Sequence, residues 1–314
     1  MSAPPPLEYC QQYRVLAPCE HIAGNERFVR KAFALQAIHL APAGRSLVDV
    51  TLDLEDGAPV GEEHELRALF VKLLHDTDNI SNQAGVRVHP VSSAHFEQDV
   101  EVLLSNAAEK ISYITIPKVK SVRDVVWASG LIQHYAQKRQ FTEIIPLHLL
   151  IETPEAIREL DALAALSCVE TLDFGLMDFI SQAAGAIPAE CMKSPGQFEH
   201  QLIARVKSEI ALAALGAGKT PSHNVTVDVR TPKVAFDDAY RARHSFGFLR
   251  MWSIHPDQID QIIRAMTPTH EELEEAQAII QRAEAAQWGP IEHNGRLHDR
   301  ASYRYYWGII SRAS

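Results

Sequence analysis

Six short segments carry the polar residues best placed to do chemistry, and each extends or ends an apolar run. LDLEDG, at 52–57, supplies three carboxylates, Asp53, Glu55 and Asp56, just before Gly57. Side chains alternate along a strand, so Asp53 and Glu55 share a face and point together; a solvated acidic turn is the other reading. GVRVHP holds Arg87 in an otherwise apolar stretch. Its guanidinium could grip a substrate carboxylate through paired N–H bonds, or it could pair with one of the carboxylates just named. ITIPKV places Lys118 after a proline, where its stem could also lie along apolar surface. LLIETP ends in acid at Glu152, and LDFGLMDF carries Asp173, Gly175 and Asp178. Glu152 and Asp178 at successive strand ends are oxygen donors suited to Mg²⁺, with water or substrate oxygens completing the octahedron. SIHP adds His255, either a ligand or base, or a rim histidine before Pro256.

Positioning such groups requires a repeated strand and helix pattern, and the chain has one. Runs rich in Val, Ile and Leu occur at 13–18, 47–54, 85–89, 113–117, 145–151, 171–175, 225–229 and 250–254, with room for a helix after each. Eight such units predict a (β/α)8 TIM barrel, in which catalytic groups sit at the C-terminal strand ends. Helix starts are marked too. Thr153 with Pro154 forms a cap and first-turn proline, and Thr269 with Glu272 has capping-box spacing. HPDQIDQIIRAM puts Ile259, Ile262, Ile263 and Met266 on one face. A barrel over 1–268 leaves 269–314 as a C-terminal helical lid extension, where Tyr303, Tyr305, Tyr306 and Trp307 form a packing face.

Composition narrows the function classes. Of 314 residues, 46% are hydrophobic and 22% charged, as expected of a folded globular chain. A net charge of −10 disfavours nucleic acid and anionic membranes as partners. No run is long enough to span a bilayer and no signal peptide is evident, which predicts a cytoplasmic protein. Cys10, Cys19, Cys168 and Cys191 show no metal or disulfide spacing and read as free thiols. Dinucleotide, P-loop, serine-hydrolase and zincin motifs are missing.

Taken together and in order, VTLDLEDGAP, GVRVHP, ITIPKV, LLIETPEAI, LDFGLMDF and SIHPDQI resemble the citrate lyase beta subunit and malyl-CoA lyase family, over roughly residues 13 to 300. The resemblance implies a Mg²⁺-dependent barrel, a homotrimer or hexamer, that breaks or forms a carbon–carbon bond between a 2-oxo acid and an acyl-CoA thioester. It makes Glu152 and Asp178 the metal ligands and Arg87 the grip on the oxo-acid carboxylate. Gly175 and Lys118 become substrate-side positions, with Glu55 and Asp56 near the metal and its waters. GRLHD, at 295–299, matches a lid motif whose aspartate reaches a neighbouring subunit, so Asp299 is the candidate catalytic base. His89 stands where the family usually has asparagine, Phe248-Leu249-Arg250 stands for Asp-Gly-Lys, and RVLAPCE lacks the common glycine after its proline. The implied reaction is malyl-CoA-like cleavage to glyoxylate and an acyl-CoA. Alternatives are a citryl thioester lyase, a malyl-CoA thioesterase, an aldolase on free hydroxy-oxo acids, or a non-enzymatic barrel subunit with a vestigial metal site.

Overall fold

Eight parallel strands close into a barrel in the computed structural model, which describes residues 15–41 and 44–313. They are β1 (Cys19–Ala23), β2 (Val48–Asp53), β3 (Ala84–Arg87), β4 (Ile114–Ile116), β5 (Leu147–Ile151), β6 (Val169–Phe174), β7 (Thr220–His223) and β8 (Arg250–Ser253). Each pairs with the next, and β8 returns to β1, with Cys19 opposite Met251. Helices between the strands coat the outside and bury apolar faces against them. Thr153 accepts from the Ala156 amide to cap Pro154–Ile157, and the Thr269–Glu272 capping box forms as its spacing predicts. Ile259, Ile262 and Met266 are buried beneath the helix Pro256–Met266.

Two strands depart from the apolar pattern. β1 lies beyond the 13–18 run, of which 13 and 14 fall outside the described residues, and it contains Glu20 and His21, both buried. Moving the strand puts Gly24 directly after it, where a Cβ would sit 2.0 Å from the Gly57 carbonyl oxygen. β7 is TPSH rather than 225–229. Its Pro221 lies opposite Leu172 and gives up a ladder donor, so neither residue type nor alternation marks it as a strand.

Charge fills the barrel interior. Arg250 on β8 is fully buried and reaches Glu20 on β1 and Asp49 on β2, both at 2.5 Å. Thr51 donates to Glu20 at 2.5 Å and meets the Tyr113 hydroxyl at 2.8 Å. Tyr113 stacks on His148 at 3.9 Å between ring centres. Burial opposes a charge on His148, yet Glu170 at 3.2 Å and Glu20 outweigh it and hold the imidazole up to about 9. Its protonation therefore stabilises the fold fully below the ordinary value of 6.5, and that contribution is lost as pH rises through about 9. The gap in urea midpoint between wild type and His148→Phe should shrink over that window; a constant gap would mean the buried ring is neutral.

The chain beyond the barrel forms a helix (His270–Ala285), a hairpin of β9 (Ile291–His293) and β10 (Arg296–His298), and a last helix (Arg300–Ala313). Asn294 and Gly295 turn the hairpin with φ of 49° and 75°, the left-handed pair that a two-residue turn of this kind needs. Ile279, Ile280, Ala283 and Tyr303 make a small separate core, on which Tyr306 and Trp307 pack, while Tyr305 is exposed. Arg243 to Glu272 at 2.8 Å and Arg312 to the Met266 carbonyl at 2.7 Å fasten this region to the barrel. Cys19, Cys168 and Cys191 are free thiols, and Cys10 lies outside the described residues. Among the described residues, no helix is long and apolar enough to cross a membrane.

Candidate active site

The C-terminal strand ends open into a cavity of about 310 Å³. Ile22, Leu150, Phe174, Val225 and Trp252 give it apolar walls, and Asp53, Arg87, Glu152, Asp178 and Asn224 supply the polar ones. Glu152 follows β5 and is 2% exposed. Its Oε1 accepts from the Lys118 amide at 2.6 Å, a contact made possible by the left-handed backbone of Lys118 (φ 52°). Burial, and then repulsion from Asp178, push the Glu152 carboxyl up to about 8. Asp178 lies in the first turn of the helix Leu176–Ser181, just beyond β6. Gly175 caps that helix because nothing larger fits: a Cβ there would lie 2.2 Å from Glu152 Oε2. Gly175→Ala should therefore displace the carboxyl and cost about 1–3 kcal/mol through overpacking, read from the urea midpoint; an unchanged midpoint would show that Glu152 can swing aside freely.

Arg87 reconciles its two sequence readings. Its Nε and Nη2 each donate to Asp53 at 2.6 Å, and Nη1 lies 3.2 Å from Glu55. Asp53 is held in turn by the amides of Glu55 and Gly57. A guanidinium has five N–H donors, so the structural pairing leaves about two for a ligand. Its face lies 5.8 Å from the Trp252 ring, whose Nε1 donates to Asp173 at 3.3 Å. The Lys118 ammonium bonds Glu55, meets Asp56 at 3.2 Å and stands 3.8 Å from Asp178. Burial raises the Glu55 carboxyl above its usual range despite these cations. For Asp56, burial is outweighed by the Glu55 hydrogen bond and Lys118, and its carboxyl is lowered.

The structure thus gathers Arg87, Lys118, Glu152, Gly175, Asp178, Glu55 and Asp56 at one mouth. Asp299 does not line the cavity of its own chain; it accepts from the amides of Ala301 and Ser302 at the start of the last helix. His255 caps the helix Pro256–Met266 by accepting from the Asp257 amide. Asp53, marked in the sequence as a strand-end carboxylate, serves as the partner of Arg87, while Trp252 and Asn224 are additions that the strand-end pattern leaves unmarked. Among the described residues, the five carboxylates Asp53, Glu55, Asp56, Glu152 and Asp178 meet the cations Arg87 and Lys118, so the mouth has excess negative charge and is rich in oxygen donors. Among the described residues, no preformed cage of three or more His, Cys, Asp or Glu exists. Two carboxylates without such a cage are the usual protein share of a Mg²⁺ site, which keeps waters and substrate oxygens.

Residues 37–256 match the HpcH/HpaI aldolase/citrate lyase family. The chain belongs to that family. As a family member it is an enzyme of the carbon–carbon lyase type. The L-malyl-CoA/beta-methylmalyl-CoA lyase of Rhodobacter capsulatus is 26% identical over 277 residues, 84% of this chain and 86% of the relative. A citrate lyase from Burkholderia xenovorans LB400 has a TM-score of 0.89 at 44% identity, covering 99% of this chain and 95% of its own. The CitE protein of Mycobacterium tuberculosis, solved with magnesium, acetoacetate and coenzyme A, has a TM-score of 0.70 at 21% identity over 95% of this chain and 98% of its own. At that identity the last likeness supports the fold alone.

Proposed function

We propose that this enzyme is a Mg²⁺-dependent lyase that cleaves or forms a 3-hydroxyacyl-CoA of the malyl-CoA type, giving a 2-oxo acid such as glyoxylate and an acyl-CoA. The observation that carries the reading is the placement of Glu152 and Asp178 at adjacent strand ends in one cavity with Arg87, with Lys118 3.8 Å from Asp178. The named relative is a malyl-CoA lyase, and a structural neighbour was solved with magnesium and coenzyme A. Glu152 and Asp178 would hold Mg²⁺, which supplies Lewis-acid polarisation of the oxo-acid carbonyl. The two spare Arg87 donors orient the oxo-acid carboxylate, so that the carbonyl faces the thioester's α-carbon. Lys118 keeps Glu55 and Asp56 aimed at the same mouth. The apolar walls shield the developing enolate from water.

The base is assigned to Asp299 of a neighbouring subunit, which fits its absence from the cavity of its own chain. It takes the hydroxyl proton in the cleavage direction and the α-proton in synthesis. Glu152→Gln and Asp299→Asn should each be inactive alone, yet co-expressed chains should regain about a quarter of wild-type activity, because mixed oligomers build intact sites from two subunits. If co-expressed chains stay inactive, Asp299 does not act across an interface.

The direct test supplies malyl-CoA and Mg²⁺ and follows glyoxylate and free thiol. Glyoxylate without free thiol is expected. Free thiol without glyoxylate would make the enzyme a thioesterase, and inertness toward every coenzyme A ester would favour an aldolase on free hydroxy-oxo acids. The oligomer, taken as a trimer or hexamer, and a cytoplasmic location belong to the same proposal.

A further inference from the structure

Asn224 follows β7 and borders the cavity, yet it is only 4% exposed and its side-chain oxygen is buried without a partner. Which end of the amide is the oxygen follows from its neighbours. The Asp238 carboxylate accepts from Thr226 at 2.6 Å, from Ser194, and from Gln197 Nε2 at 3.0 Å. That orients Gln197 with Oε1 on the opposite side, where it accepts from Lys207 Nζ at 3.0 Å and from Asn224 Nδ2 at 2.9 Å. The second Asn224 amide hydrogen goes to the Val225 carbonyl at 2.9 Å. Both donors are spent, and Oδ1 is left as a pure acceptor.

Backbone support fixes the residue from below. His223 Nδ1 lies 3.0 Å from the Asn224 carbonyl and its Nε2 is 2.6 Å from Lys207. Burial drives His223 well below its usual range, so the ring is neutral, donating through Nδ1 and accepting at Nε2. Mechanism leaves this network unused. An unpaired acceptor repels a carboxylate and gains nothing from a carbonyl, so the complementary group is a hydrogen-bond donor, which the proposed ligand carries in its hydroxyl. β7 neighbours β6, whose end leads to Asp178, so the donor available there is on the reacting end of the ligand.

We propose that Asn224 is a specificity-determining residue whose Oδ1 accepts a hydrogen bond from the hydroxyl of a bound 3-hydroxyacyl thioester until Asp299 of a neighbouring subunit takes that proton, with Gln197 and Asp238 as positioning residues. This rests on the function proposed above. An acceptor left unsatisfied in the free protein and satisfied by the ligand sharpens discrimination against ligands that lack the hydroxyl.

The test compares 3-hydroxybutyryl-CoA with butyryl-CoA, neither of which can release a 2-oxo acid, by calorimetry with Mg²⁺ present. Wild type should bind the hydroxylated thioester about tenfold more tightly. Asn224→Ala and the near-isosteric Asn224→Leu should bring that ratio close to one, and Gln197→Met should lower it in part. A ratio unchanged in both Asn224 variants overturns the proposal; equal weakening of both thioesters does so too, by assigning Oδ1 to a donor they share. A ratio unchanged by Gln197→Met overturns the positioning role. If wild type binds neither thioester and makes no glyoxylate from malyl-CoA, the underlying function has failed instead.

Discussion

Glu152→Gln is expected to lower turnover at least about a thousandfold, because a carboxylate that helps hold the Lewis acid contributes several kcal/mol to the transition state. The substitution is nearly isosteric, and Gln can still accept from the Lys118 amide, so the fold should change by no more than about 1 kcal/mol. Asp178→Asn should behave alike. Mg²⁺ titration by calorimetry separates loss of the ion from loss of geometry. Turnover within tenfold of wild type in both variants would remove these two residues from the metal site.

Arg250→Met is expected to cost about 3–5 kcal/mol, the range for removing one partner from a buried ion pair. Glu20 and Asp49 would then face each other without a guanidinium in an interior closed to water. Burial opposes the Glu20 charge, but Arg250 and His148 win and bring it down to about 2. That depressed value stabilises the fold above the ordinary 4.5 and is lost as pH falls through about 2. Adding Glu20→Gln to Arg250→Met should recover part of the loss. Urea unfolding checks both, and a cost below about 1 kcal/mol would make the interior network dispensable.

Residues at strands β2, β5 and β6 were legible because an apolar run there stops abruptly at acid, and the stop is local. β1 and β7 were not, for a physical reason. Glu20 and His21 are buried against partners, Arg250 and Ser253, that lie 230 or more positions away, and Pro221, which cannot donate to a ladder, argues against a strand when read locally. Arg87 shows a different limit. Its sequence neighbourhood allowed a substrate carboxylate or a strand-two partner, and only geometry assigns Asp53 to one edge of the fork while sparing donors on the rest. Asn224 carried no signal at all, since only the fold brings Gln197 Oε1 within 2.9 Å of its amide nitrogen. The Asn-Gly turn of the hairpin, by contrast, was present as a dipeptide and needed only to be read as one.

The joining of β8 to β1 and β2 through Arg250 also bears on how the protein is made. A ribosome that has delivered seven strands has produced Glu20 and Asp49 without the guanidinium that bridges them, because both wait for residue 250. Closure of the barrel between β1 and β7 and satisfaction of these carboxylates thus depend on the same late segment. A chain truncated before residue 250 should therefore be cleaved by protease faster than the full chain, and equal resistance of the two would separate barrel closure from this ion pair.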